Sequence, residues 1–167
     1  MKLETKLLKT NRLILRKIYK KDYKLLYNNI YSDPLIYKYN FLMKKIENYS
    51  QMKKEIETHI NNYKQNKALT WVVTKIDNKK PIGVIIIYYI NKTDLSAHIA
   101  YFYGSKYYSK GYATESIKEV LNYCKLKLKI IKATTLEENN RSIKLLEKLN
   151  FKKIKNEYGT IYYELKL

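Results

Sequence analysis

The chain has 167 residues and a formal net charge of +19, from 34 basic and 15 acidic side chains. This length predicts one domain over residues 1–167, and the lack of an apolar run of about 20 residues excludes a transmembrane helix. The lysines are scattered over every segment, so we expect no specific nucleic-acid or membrane surface, although the positive field should recruit an anionic ligand and repel polycations.

Residues 1–9 are rich in charge and lack the apolar segment of a signal peptide, so we expect a cytoplasmic protein. The single cysteine, Cys124, falls on an apolar helical stripe and is typical of a buried structural thiol. No group of Cys, His and carboxylate residues has the spacing of metal ligands, so the sequence predicts no metal site.

The first half of the chain predicts strands around two helices. Leu13 and Leu15 share one face of a first strand, and Ser50 is a plausible N-cap for the second helix. The segment at residues 35–45 is predicted to be irregular. The predicted elements are a strand at 10–16, a helix at 22–30, a helix from Ser50 to about 66, and strands at 69–76 and 81–90.

The second half alternates strands with helices. Ile117, Val120, Leu121 and Cys124 recur at helical spacing after an aromatic run of strand type. The predicted elements are strands at 97–103 and 130–136, helices at 113–126 and 142–149, and a hairpin of 151–154 with 160–165 around Tyr158-Gly159. This order predicts an α/β (α+β) protein with a mixed sheet flanked by helices.

Residues 107–115 form a loop that leaves a strand and opens a helix. A helix N-terminus has free backbone N–H groups and the positive end of the dipole, so it can bind an anion. Small residues in this loop would let a phosphate approach closely, and Lys110 adds positive charge. The small residues are Ser109, Gly111, Ala113 and Thr114.

This loop resembles the coenzyme A loop of the GNAT acetyltransferases, whose pattern is Gln/Arg-x-x-Gly-x-Gly/Ala. Gly111 and Ala113 match its last two positions. Tyr108 stands where Gln or Arg is usual, a departure shared with the ribosomal-protein N-terminal acetyltransferase (Rim-type) branch, and Ser109 replaces a glycine of that branch. Residues 10–16 match the Thr-x-Arg-Leu-x-Leu-Arg signature in full.

The resemblance implies the GNAT fold, with a mostly antiparallel, splayed sheet, and acetyl-CoA as the acyl donor. The residues expected to contact acetyl-CoA lie at the strand end, in the loop and in a later motif. They are Phe102, Tyr103, Tyr108, Ser109, Lys110, Gly111, Tyr112, Ala113, Thr114, Asn139 and Ser142.

That later motif, at residues 139–151, resembles the family pattern Asn-x-x-Ser-x-x-Leu-x-Glu-Lys-x-Gly-Phe. The match implies that Asn139 contacts the pantetheine arm and that Ser142 lies near the thioester sulfur. Leu146 stands where many GNAT enzymes have a tyrosine acid, which makes Ser142 the candidate catalytic donor. Alternatively, Asn139 and Ser142 only cap a short helix.

The acceptor amine must lose a proton, and the unperturbed pKa of a histidine side chain suits a general base, which makes His98 a candidate. The alternative is an ordinary half-buried strand histidine, and Glu137 and Glu138 are further candidates. Each of the three arginines, Arg12, Arg16 and Arg141, could make a bidentate contact.

We therefore expect an N-acetyltransferase, a monomer or homodimer, that moves an acetyl group from acetyl-CoA to a primary amine. The branch resemblance favours the α-amino group of a protein or peptide. The alternatives are a small-molecule amine, including an antibiotic, and a non-catalytic acyl-CoA-binding protein.

Overall fold

The computed structural model describes residues 3–40 and 43–167 and contains an eight-stranded sheet in the order β1-β2-β3-β4-β5-β6-β8-β7. The strands are β1 (Leu8–Lys9), β2 (Leu13–Lys17), β3 (Ala68–Lys75), β4 (Pro81–Asn91), β5 (Ser96–Tyr103), β6 (Ile130–Leu136), β7 (Lys152–Glu157) and β8 (Thr160–Lys166). Within the described residues β5 and β6 are the one parallel pair, so the predicted mixed, mostly antiparallel sheet is confirmed.

Helices cover both faces of the sheet, which is why β3 is buried almost throughout rather than alternating. Trp71 and Ile85 face a core shared with α3 (Tyr112–Cys124) and α4 (Asn140–Lys148). Val72 and Val84 face a second core shared with α1 (Tyr23–Leu26) and α2 (Tyr49–Lys64). The predicted helices at 113–126 and 142–149 are thus confirmed to within two residues at each end.

Two helix predictions in the first half need correction. The predicted helix at 22–30 is a composite, in which a 3-10 turn at Lys20–Asp22 leads into α1, and a π-helical turn at Tyr27–Tyr31 follows it. The N-cap of α2 is Asn48 rather than Ser50, because Asn48 has an extended backbone and its side chain accepts from the Gln51 N–H at 3.0 Å.

A short 3-10 turn at Pro34–Ile36 overlaps the start of the segment predicted to be irregular, at residues 35–45. Phe41 and Leu42 belong to that predicted segment and lie outside the described residues. In the part of the chain that the structure describes, no helix combines the length and apolar character needed to cross a bilayer.

The feature that positions the site is the separation of β5 from β6. Their pairing holds for three residue pairs and ends at His98 opposite Lys132. Beyond that point β5 stays paired with β4 up to Tyr103, and β6 stays paired with β8 up to Leu136. The sheet therefore opens into a cleft between its two halves.

Candidate active site

A cavity of about 1020 Å³ occupies this cleft and continues on both faces of the sheet. Successive side chains of a strand point to opposite faces, yet residues 99–103 all line the cavity. They can do so because β6 no longer covers that edge of β5. The cleft thus connects the face with α3 and α4 to the face with α1 and α2.

The loop before α3 brings its backbone to the cavity wall. Gly111 is the N-cap of α3 with φ 78°, a left-handed conformation that favours glycine, and no side chain caps the helix there. Ser109 also has a positive φ, 59°, so the serine that replaces the family's glycine keeps a glycine-like backbone at a steric cost. This open helix N-terminus lies at the position where the sequence predicts an anion cradle.

Arg12 ties the first strand region to this loop. Its Nε donates to Glu115 Oε2 at 2.7 Å, its Nη1 donates to the Lys110 carbonyl at 3.1 Å, and its guanidinium lies 4.6 Å from the Tyr112 ring centroid. Thr10 donates to Glu115 Oε1 at 2.5 Å. These contacts hold the Glu115 carboxylate, the acidic group in the first turn of α3, against Thr10 and Arg12. The carboxylate is therefore not free to repel a phosphate that binds at the helix N-terminus.

Asp33 holds the loop from the other side. Its Oδ2 accepts from the Ser105 N–H at 2.6 Å, and its Oδ1 accepts from the Leu35 N–H at 3.0 Å. Burial raises the pKa of Asp33, but the Ser105 and Leu35 hydrogen bonds and the charge of Lys106 outweigh it and leave the pKa below its usual value. Asp33 is therefore ionised at neutral pH and links residues 34–36 to the loop.

Tyr101 and Ser142 meet inside the cavity. The Tyr101 hydroxyl and Ser142 Oγ are 2.8 Å apart, and both residues line the wall. Burial raises the pKa of Tyr101 to about 12, although its bond with Ser142 acts in the opposite direction. The phenol is thus protonated at neutral pH and can donate to Ser142.

The helix cap beside this pair is Asn139, whose Oδ1 accepts from the backbone N–H of Ser142 at 3.2 Å. The hydroxyl of Ser142 takes no part in that bond. Asn139 therefore caps α4, whereas the Ser142 side chain is directed to Tyr101.

Most of the side chains predicted to contact acetyl-CoA line this one cavity. The predicted residues that do so are Phe102, Tyr103, Tyr108, Ser109, Gly111, Tyr112, Ala113, Thr114, Asn139 and Ser142. Lys110 contributes its carbonyl to the Arg12 contact, but it is not among the residues that line the wall.

His98 lies outside the cavity lining, on the face of β5 opposite to Tyr101. Its ring contacts those of Tyr88 and Tyr89, with centroids 5.5 and 5.6 Å away. Burial, and then the charge of Lys132, lower the pKa of His98. Glu138 does line the cavity, whereas Glu137 accepts from Asn156 Nδ2 at 2.9 Å.

Sequence reasoning missed Tyr101 at the site and did not identify the partner of Arg141. Tyr101 sits in a strand whose odd positions face α3 and α4, but only the contact with Ser142 distinguishes it from its neighbours. Arg141 lies 4.0 Å from the ring centroid of Tyr108 and joins α4 to the loop. The rarity of arginine in the chain marked Arg12 and Arg141 as notable, without indicating their partners.

Residues 12–152 match the acetyltransferase (GNAT) domain family. The chain belongs to the GNAT family. It is similar to the uncharacterized N-acetyltransferase p20 of Bacillus licheniformis, with 30% identity over 146 residues that cover 86% of this chain and 81% of p20. The protein is accordingly an acetyl-CoA-dependent N-acetyltransferase, as the sequence predicted.

Solved structures of GNAT proteins share the fold at low identity. RimL, a ribosomal L7/L12 α-N-protein acetyltransferase in complex with coenzyme A, has a TM-score of 0.87 at 11% identity over 97% of this chain and 98% of RimL. A spermidine N-acetyltransferase from Vibrio cholerae with CoA and spermine has a TM-score of 0.80 at 21% identity over 94% of this chain and 96% of that chain.

The Arg12 contacts predict a role in holding the loop at residues 107–115, which the family resemblance predicts to bind coenzyme A. We expect Arg12→Lys to weaken coenzyme A binding about tenfold, or about 1.4 kcal/mol, because lysine cannot bridge Glu115 and the Lys110 carbonyl together. Calorimetric titration with coenzyme A measures the change.

Arg16→Lys is the matched control for that variant, since Arg16 makes a similar bidentate pair with Asp22 at 2.7 and 2.9 Å and lies outside the cavity lining. Arg16→Lys should lower the free energy of unfolding without lowering the affinity for coenzyme A. Equal affinities of Arg12→Lys and the unaltered protein would remove Arg12 from this role.

Proposed function

We propose that this GNAT acetyltransferase acetylates the α-amino group of a protein or peptide. The observation that carries the proposal is the lining of the cavity on the α1/α2 face, here called the acceptor lobe. The lobe is apolar and aromatic with a single charged group. It comprises Leu35, Ile36, Lys38, Tyr39, Asn40, Met43, Tyr88 and Phe102.

The charge of the lining argues against a polyamine acceptor. Four cations line the described part of the cavity, and Glu138 is the carboxylate among its lining residues. A polyamine keeps further positive charges after its reacting amine is bound, and those charges need carboxylate partners. A peptide N-terminus brings one ammonium, which becomes neutral on reaction, and its apolar side chains suit the lobe.

Coenzyme A in this scheme places its pyrophosphate at residues 107–114 and its pantetheine arm between β5 and β6. Residues 99–103 have no β6 partner in the described strands, so backbone N–H groups on that edge are available to polarise the thioester carbonyl. The acceptor reaches the carbonyl carbon from the other face. The protein thus contributes mainly the positioning of two reactants.

The reaction forms a bond from the amine nitrogen to the carbonyl carbon and breaks the bond from that carbon to sulfur. We assign Ser142 as the hydrogen-bond donor to the departing sulfur and Tyr101 as the residue that orients it. A thiol with a pKa of about 8.5 leaves readily as thiolate. A phenol with a pKa of about 12 therefore stabilises it by hydrogen bonding through Ser142 rather than by net proton transfer.

The Ser142 assignment predicts a loss of kcat without a loss of acetyl-CoA affinity, because the bond to sulfur strengthens as charge develops. We expect Ser142→Ala to lower kcat by about 10–100-fold and Tyr101→Phe by about 3–10-fold. Steady-state kinetics with varied acetyl-CoA measures both effects. Ser142→Ala should stay folded, because the cap uses its backbone N–H.

A double variant tests the coupling of these two hydroxyls. If Tyr101 acts through Ser142, adding Tyr101→Phe to Ser142→Ala should change kcat by less than twofold. A full multiplicative loss would show that Tyr101 acts independently. If folded Ser142→Ala kept the kcat of the unaltered protein, Ser142 would have only a structural role and the assignment as donor to sulfur would be wrong.

We assign proton removal from the acceptor to Glu138, directly or through water, because it lines the cavity. The hypothesis of a His98 base stays testable. Glu138→Gln should lower kcat/KM about tenfold, a modest general-base effect, because water can substitute for an exposed carboxylate. His98→Ala should leave the acidic limb of the pH profile of kcat/KM in place. Movement of that limb in His98→Ala would support His98 instead.

The acceptor class is tested by release of the coenzyme A thiol with three kinds of amine in parallel. Peptides with free N-termini should react with kcat/KM at least about tenfold above spermidine, because the cavity cations oppose a polycation. N-terminally blocked versions of the same peptides are the control and should be inactive. A preference for spermidine or aminoglycosides would overturn the acceptor assignment, and no turnover with any amine would favour the non-catalytic alternative.

A further inference from the structure

Three aromatic rings meet at the edge of the acceptor lobe. Tyr88 and His98 are cross-strand partners in β4 and β5, and their ring centroids lie 5.5 Å apart. The Tyr89 ring centroid is 4.9 Å from that of Tyr88 and 5.6 Å from that of His98. We call Tyr88, Tyr89 and His98 the β4/β5 aromatic cluster.

The cluster depends on an unusual backbone conformation at Tyr89. In a regular strand, the successive side chains of Tyr88 and Tyr89 point to opposite faces. Here the pairing of β4 with β5 shifts register between Tyr88 and Asn91, and Tyr89 has φ 49°. Among the described non-glycine residues with positive φ, Tyr89 is the one that lies within a strand. This irregularity brings both tyrosine rings to His98.

Core packing does not account for this arrangement. A left-handed backbone is unfavourable for a tyrosine, yet Tyr89 is 74% exposed. In the described part of the chain, neither hydrophobic core includes any ring of the cluster. Strained residues and strand irregularities are common beside binding sites, where they redirect side chains toward a ligand. The strain at Tyr89 therefore indicates that the cluster serves a ligand.

The cluster continues the acceptor lobe. Tyr88 belongs to both, since it lines the cavity. His98 lies four positions before Phe102 in β5, so it shares the face of the sheet on which Phe102 lines the lobe. An acceptor chain that fills the lobe can thus extend over the rings of His98 and Tyr89.

The charge around the cluster favours an uncharged side chain. Burial, and then the charge of Lys132, lower the pKa of His98, so its imidazole is neutral at neutral pH. Burial also raises the pKa of Tyr88, which keeps its phenol neutral. Lys132 opposite His98, and Lys38 in the lobe, oppose a cationic side chain. The negative faces of the rings disfavour a carboxylate.

We propose that the β4/β5 aromatic cluster is a specificity subsite that binds an apolar or aromatic side chain near the N-terminus of the acceptor peptide. The inference rests on the α-amine acceptor of the proposed function. A phenyl ring on the cluster removes apolar surface of both partners from water and can pack edge-to-face against the tyrosines. The subsite thereby selects among peptide N-termini that present the same reacting amine.

The experiment measures kcat/KM for alanine-rich peptides that carry phenylalanine at one of their first few positions. At one position, phenylalanine should raise kcat/KM about tenfold over alanine, and lysine should not. In Tyr89→Gly this phenylalanine-to-alanine ratio should fall to about threefold or less, because the most exposed ring of the subsite is lost. A variant that only distorted the site would lower kcat/KM for both peptides and keep the ratio, which would overturn the subsite.

Tyr158→Gly is the matched control. Tyr158 has the same φ of 49°, is exposed in the turn between β7 and β8, and lies outside the cavity lining. Both substitutions place glycine where a left-handed backbone suits it, so both variants should fold, which circular dichroism verifies. Tyr158→Gly should keep the ratio of the unaltered protein. An equal fall of the ratio in the two variants would overturn the subsite.

Equal kcat/KM for the alanine and phenylalanine peptides with the unaltered protein would overturn the subsite while leaving the α-amine acceptor in place. A preference for lysine would overturn the apolar ligand. If Tyr89→Gly changed the oligomeric state in analytical ultracentrifugation and kept the ratio, the cluster would be an interface between two copies of this chain instead. No acetylation of any peptide would overturn the proposed acceptor and this inference together.

Discussion

The separation of β5 from β6 is the constraint on which the rest of the site depends. Hydrogen bonds hold the two strands for three residue pairs, and each strand then keeps only its outer neighbour, β4 or β8. A parallel pair left open in this way exposes backbone groups and both faces of β5 to one cavity. The described fold thereby provides a passage through the sheet, which a reaction between two separately bound substrates requires.

Three side-chain contacts between distant segments shape the walls of that passage. Arg12 joins Glu115 and Lys110 from more than 90 residues away, and Asp33 joins Ser105 across 72 residues. Tyr101 reaches Ser142 across 41 residues. Each contact fixes the position of a backbone loop or hydroxyl beforehand, so little rearrangement is needed when a ligand binds.

Charge is distributed unevenly around the cavity in a way that the total of +19 does not reveal. Arg141, Lys144 and Lys148 of α4 line the cavity on the same face as the open N-terminus of α3, whereas the acceptor lobe is apolar with Lys38 as its single charge. An anionic donor and an acceptor with one ammonium fit this division. The lysines elsewhere add a diffuse field that salt screens.

The sequence by itself determined the order and type of most elements, since apolar periodicity and turn residues act locally. It also predicted an anion-binding loop before α3, because glycine and small residues at a helix start have a local physical meaning. Its errors arose where two nearby residues could play the same local role. For α2, both Asn48 and Ser50 are suitable N-caps, and Asn48 is the N-cap in the structure. The π-helical turn at Tyr27–Tyr31 leaves no distinct signature in the spacing of apolar residues along the sequence.

Only the tertiary structure decided which side chains meet. Tyr101 and His98 stand three positions apart in one strand, but His98 is still paired with Lys132 of β6, whereas Tyr101 lies beyond the last β5–β6 pair and lines the cavity. Whether a face is a cavity wall depends on where β6 departs, and that departure arises from packing of the whole sheet. The partners of Arg12 and Ser142 likewise depend on tertiary packing, because distance along the chain does not determine distance in space.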